Sequence, residues 1–202
     1  MGSTETREFP GMRADARRNR ERLLAAARAA FAAHGAEAPL DEIARQAGVG
    51  IGTLYRHFPT RLALQEAVYR DQVENLCELG EGLREGAAPG EALESWMRAL
   101  AGYVATKRGL SQTLINSLGK DSEFLSSCST LIRETGGKLL DSAKQAGEVR
   151  PDAELTDVMR LCHAIVLAAE QAGEPEGSAE RLVSLVLDGL RRNPAGSGDR
   201  PS

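Results

Sequence analysis

Apolar residues recur at spacings of three and four along most of this chain, the period of helices with one buried face. Leu23, Leu24, Ala27, Ala30 and Phe31 mark a first helix expected from about Asp15 to His34. Leu40, Ile43, Ala44 and Ala47 mark a short second one. Gly48 then supplies a positive-φ stop, and Val49 is expected to tuck back toward the same core. A third helix of about two turns should run from Ile51 to roughly Phe58, burying Ile51, Leu54 and Phe58. Its other face carries Thr53, Tyr55, Arg56 and His57. Each of these can donate a hydrogen bond and none is an acid. Two short helices about a tight turn, the second with its donors outward, form a helix-turn-helix suited to the major groove of DNA.

Thr60 is placed to cap a fourth helix that reaches about Leu83. Gly82 to Gly90, with Gly86 and Pro89, reads as a loop. Five more helices are expected: Glu91 to Thr106, Ser111 to Leu118, Ser122 to Gln145, Asp152 to Ala172 and Ser178 to Arg192. The chain is therefore expected to be all-α with about nine helices. Residues 1–12 form a polar arm, residues 13–59 the helix-turn-helix domain and residues 60–192 a larger helical domain, with a Gly/Pro/Ser-rich tail over 193–202.

Trp96, Met97, Tyr103, Leu114, Phe124, Cys128 and Leu131 fall on the expected inner faces of helices five to seven. Apolar walls with a few polar groups suit a ligand pocket, and they suit an ordinary core equally well. Helices eight and nine carry stripes wider than one core contact needs, including Val158, Cys162 and Ile165 on one and Leu182 and Val186 on the other. Such stripes fit either a partner subunit or complete burial within one.

Composition narrows the classes. The chain has 202 residues, 8 prolines and a net charge of −4. Every proline falls at an expected helix boundary or tail. The charge is unevenly spread: residues 13–61 carry 9 Arg against 5 Asp or Glu, a net +4, leaving −8 on the rest. Positive potential on the helix-turn-helix alone is what a phosphate-facing head needs. The three cysteines, Cys77, Cys128 and Cys162, lie too far apart for a metal motif or a disulfide framework. Small core cysteines are favoured over redox sensors there. His34, His57 and His163 are equally scattered, and no arrangement of nucleophile and base, paired acids or phosphate-cradling glycines marks an enzyme. No metal and no cofactor is expected. With no apolar run of membrane length and no signal-peptide core, a cytoplasmic, membrane-free protein is expected.

Three blocks carry a family resemblance: RERLLAAARAAFAAHG (Arg20 to Gly35), LDEIARQAGV, and GTLYRHF followed by TRLAL. The segment from about Arg13 to Tyr69 resembles the DNA-binding domain of the TetR family of transcriptional regulators. YVATKRGL (Tyr103 to Leu110) is similar to an element found in one subgroup. The resemblance implies a homodimer whose last two helices pair with a second subunit. It also implies a palindromic operator of double-stranded DNA and a small apolar or amphipathic effector, with repression the commonest outcome. It points to Arg18, Arg20, Gly50, Gly52, Thr53, Tyr55, Arg56, His57 and Arg61 as DNA-binding residues. Three positions depart from the family pattern: Gly50 stands where Ser or Thr is common, Pro39-Leu40 where a hydroxyl is common, and Arg61 where lysine is frequent. The alternative is a DNA-binding regulator without a small-molecule ligand, for which a second domain packed solid would speak.

Overall fold

The computed structural model describes residues 10–171 and 178–191. Within them lie eight helices: α1 (Pro10–His34), α2 (Leu40–Gln46), α3 (Ile51–His57), α4 (Arg61–Gly86), α5 (Pro89–Leu118), α6 (Glu123–Gln145), α7 (Leu155–Gln171) and α8 (Ser178–Leu190). The expected arm up to residue 9, the tail from residue 193, and Ala172 and Arg192 lie outside the described residues.

Several boundaries differ from the sequence expectation, among them the start of α7 at Leu155 rather than Asp152. The first helix starts at Pro10 rather than near Asp15, a position where proline's missing N–H is not needed. α4 runs through Gly82 to Gly86, so the expected loop of nine residues shrinks to two. The expected fifth and sixth helices are one, α5, unbroken through Gly109. A single glycine costs a helix interior only about 1 kcal/mol. Without a proline or a cap beside it, that is too little to end a helix packed along its length.

The described chain divides into two compact units. Unit 1 comprises Met1–Asp71 and Gly109–Gly119. Its core is Leu23, Leu24, Ala27 and Phe31 from α1, Ile43 and Ala44 from α2, Leu54 and Phe58 around α3, Leu64 and Val68 from α4, and Leu110 and Leu114 from α5, all buried. The loop between α1 and α2 is anchored from within this unit. Arg61 Nη1 donates to the Ala38 carbonyl at 2.7 Å and the Ala36 carbonyl at 3.2 Å. The buried Gln65 amide donates to Ala36 at 2.9 Å.

Unit 2 comprises Gln72–Arg108 and Lys120–Ser202. Trp96, fully buried, is its largest core side chain, and its indole N–H donates to the Leu76 carbonyl at 3.1 Å. Gly136 lets α6 come down on that ring, since a Cβ there would lie 2.6 Å from Trp96 Cη2. Ser122 caps α6 by accepting from the Leu125 amide at 3.3 Å. The end of α8 is held by a single bridge between Val149 and Arg191 and by the Arg191–Glu94 ion pair at 3.2 Å.

Candidate nucleic-acid interface

The turn between α2 and α3 is fixed by hydrogen bonds the sequence dictates. The Gly48 N–H donates to the Arg45 carbonyl and the Val49 N–H to the Ala44 carbonyl, each at 3.0 Å, a Schellman closure with Gly48 at φ +65°. Arg22 reaches over from α1 and completes it, with Nε donating to the Ala47 carbonyl at 2.8 Å and Nη2 to the Gly48 carbonyl at 2.8 Å. These carbonyls are the unpaired acceptors every helix end leaves behind. Gly50, in extended conformation, precedes α3 as its N-cap with no side-chain cap bond. Pro39 holds the corresponding N-cap position of α2, likewise without a side-chain cap bond.

α3 is pinned by Leu54, fully buried, with Phe58 just beyond its end. Tyr55 stands 48% exposed, Arg56 and Gly52 are exposed, and Thr53 and His57 are half-buried. Arg56 folds along its own helix, donating from Nη2 to Thr53 Oγ1 at 2.8 Å and from Nε to the Gly52 carbonyl at 3.3 Å. Ile51, expected to be buried, is instead 42% exposed. It lies one turn before Tyr55, so the outward face of α3 includes an aliphatic side chain beside its donors. Ile51 shares the i, i+3, i+7 stripe with Leu54 and Phe58, but as the first residue of α3 it stands at the end of that stripe and is left uncovered.

The arginines divide by task. Arg18 and Arg20 are exposed near the start of α1, Arg18 paired with Asp15. The Arg20 guanidinium lies 5.8 Å from the centre of the Phe58 ring, which sets it beside the end of α3. Arg22 caps α2, and Arg61 ties down the α1–α2 loop. The Arg61 guanidinium is thus committed inside unit 1, where the sequence suggested a phosphate grip. Chain order could not separate these tasks, because Arg20 and Arg22 stand two residues apart yet point to different partners.

Unit 2 holds a cavity of about 390 Å³ lined by residues of α5, α6 and α7, among them Leu100, Tyr103, Ile132, Arg133, Met159 and His163. Of the seven expected pocket residues, Tyr103 lines it. Trp96, Met97 and Cys128 are fully buried core, Phe124 is half-buried, and Leu114 belongs to unit 1. Leu131 is 41% exposed and its neighbour Ile132 takes the inward place, a one-residue error in the helical frame. Arg133 and His163, also on the lining, had no apolar periodicity to signal them.

The expected interface residues also divide. Val158 and Cys162 are buried within unit 2, while Ile165, Leu182 and Val186 are half-buried. Burial pushes the Cys162 thiol up to about 11, which leaves it inert near neutral pH. Burial raises the Cys77 thiol too, with a hydrogen bond to Thr135 opposing. Among the described residues no cluster of His, Cys, Asp and Glu could hold a metal, and no helix is long and apolar enough to cross a membrane.

A short helix seated by its apolar back, with donors outward and an arginine-bearing helix end alongside, defines the class of helix-turn-helix DNA-binding proteins. Comparison with known proteins gives the family. A model described as bacterial regulatory proteins, tetR family, matches residues 23–68, and one described as transcriptional regulator SbtR-like, C-terminal domain, matches residues 88–192. A crystal structure of a TetR transcriptional regulator from Streptomyces coelicolor is 41% identical with a TM-score of 0.74, covering 85% of this chain and 98% of that one. A TetR transcription regulatory protein from Mycobacterium vanbaalenii is 37% identical with a TM-score of 0.73, covering 90% of this chain and 99% of that one. An uncharacterized HTH-type transcriptional regulator, TtgW, from Pseudomonas putida is 45% identical over 56 residues, 27% of this chain. The match spans 42% of that relative's length. The chain belongs to the TetR family of bacterial transcriptional regulators.

Proposed function

We propose that the protein is a homodimeric repressor that binds a palindromic operator and is released by a small-molecule effector. The observation that carries the DNA reading is the acid-free outward face of α3, with Tyr55 exposed on a helix whose other side is locked by Leu54. Tyr55 and His57 suit phosphates, which position the head, while Thr53 and Ile51 are short or apolar enough for base edges and thymine methyls. Arg18, Arg20 and Arg56 add charge along the same flank, and the uncapped first turn at Gly50 and Gly52 leaves backbone donors for a phosphate.

Dimerisation is supported by the outer faces of α7 and α8. Leu161, Ala164, Ile165 and Ala168 recur at helical spacing, as do Leu182, Leu185, Val186 and Gly189, and Leu161 and Leu185 are 47% and 67% exposed. An apolar face of this breadth on a soluble surface marks an interaction site. Two-fold pairing would set two heads on half-sites about one helical turn apart. The cavity supports the effector over the ligand-free alternative, which a solid second unit would have favoured.

The test is footprinting on duplexes selected by the full-length chain. A protected palindrome is expected, and Tyr55→Ala is expected to weaken binding about tenfold or more on every sequence, the scale of a charge-assisted hydrogen bond. Unchanged affinity of that variant at moderate salt would remove α3 from the interface.

A further inference from the structure

The cavity of unit 2 grades from apolar to cationic. Leu100, Tyr103 and Ile132 are buried at its floor, and Leu155 and Met159 are half-buried on its wall. At its rim stand the exposed Arg133, Arg160 and His163, with the hydroxyls of Ser129 and Thr156. No acid lines it. Arg133 makes no ion pair among the described residues, and Arg160 is held only by Asp157 at 3.3 Å in an exposed pair one turn earlier on α7. Such an exposed pair is weak, so an incoming carboxylate can displace it. At about 30 Å³ for each water-sized group, the space holds roughly a dozen non-hydrogen atoms.

We infer that this site takes a small amphipathic carboxylate, its apolar body on Leu100 and Ile132 and its carboxylate between Arg133, Arg160 and His163. The inference rests on the ligand-responsive reading above and names the chemistry of its effector. A neutral ligand of the same body would leave the Arg133 guanidinium without an anionic partner and Arg160 with its exposed pair to Asp157 alone, and an amine would meet like charge. Planar guanidinium groups match a carboxylate two bonds at a time, which is the basis of the selectivity.

The test is calorimetric titration of the full-length chain with decanoate, 1-decanol and decylamine. Decanoate is expected to bind at least about tenfold more tightly than decanol, with decylamine weakest, the scale of a hydrogen bond to a charged group. R133Q/R160Q, altering two exposed side chains, is expected to weaken decanoate about tenfold or more and to leave decanol unchanged. Equal affinity for decanoate and decanol, binding of none of the three, or a preference that survives the double variant would each overturn the assignment. Repeating the titrations with a selected operator duplex separates the two readings. Anion-selective binding without loss of operator affinity keeps this site and removes the effector role. Operator release by a compound that binds wild type and R133Q/R160Q alike removes this site and keeps the effector role.

Discussion

Gly48 and Gly50 stand two residues apart and answer to different constraints. Gly48 has φ +65°, and a Cβ on it would lie 2.7 Å from Arg22 Nη2, so alanine there is strained in backbone and displaces the guanidinium that closes α2. Gly48→Ala is expected to cost about 1–2 kcal/mol from the left-handed conformation alone, with more from the lost cap. Gly50 has φ −74° and open space at its Cβ. Gly50→Ser is expected to be neutral or stabilising by a few tenths of a kcal/mol, since serine can cap α3. Urea unfolding of the two variants checks both, and similar midpoints would show that the turn is not held as described. At this scale the sequence discloses residues whose task is local. Thr60 was readable as a cap and accepts from the Ala63 amide at 3.0 Å. The tasks of Arg22 and Arg61 were not, because their partners are backbone carbonyls more than twenty residues away.

Among the elements, α5 and α8 meet through a small electrostatic clasp. Glu94 accepts from Arg98 at 2.7 Å and from Arg191 at 3.2 Å. The Arg98 hydrogen bond above all holds its carboxyl below its ordinary 4.5, burial opposes it, and the Arg191 hydrogen bond adds a lesser lowering. A depressed carboxyl stabilises the fold above its unfolded value and loses that contribution as pH falls through its folded one. Glu94→Gln is therefore expected to loosen α8 at neutral pH and to match wild type well below pH 4.5, read by hydrogen exchange at α8 amides. A difference that persists in acid would assign the effect to packing. Helix count was less legible than helix existence. Leu23 to Phe31 and Leu40 to Ala47 declare their faces by period, whereas Gly82 and Gly109 look like stops and are passed over. Whether a glycine ends a helix is decided by what packs on either side of it, and one chain read alone does not contain that. The same limit put Leu131 rather than Ile132 at the cavity, since both fit an apolar stripe to within one residue.

For the whole molecule, charge and apolar surface are segregated by task. Net positive charge gathers over residues 13–61 while the remainder carries −8. That distribution steers the head toward DNA and discourages indiscriminate adhesion by the rest. In the proposed dimer the outer faces of α7 and α8 take the second copy, and Leu185, the most exposed large apolar side chain described, is their most sensitive point. Leu185→Asp is expected to convert a dimer to monomers by sedimentation while leaving helicity unchanged, because the side chain contributes little to its own unit's core. A variant that stays dimeric would place the interface elsewhere. Fold class and family were open to sequence reading because they rest on local motifs in order. The cavity was not, because the way three successive helices, α5, α6 and α7, turn their faces toward one another decides which side chains line it.

Unit 1 is not one continuous stretch of chain. Its core takes Leu110 and Leu114 from a segment that begins 37 positions after Gln72, where the other unit's sequence starts. Nor does a linker part the units near Asp71, where α4 simply continues. Recombination at that point would move an incomplete head with an uncovered apolar seam. A sensor designer wishing to transplant this operator preference onto another regulator must carry residues 109–119 as well, or redesign the recipient's counterpart to fit. In this fold, interchangeable parts have to be cut in two places.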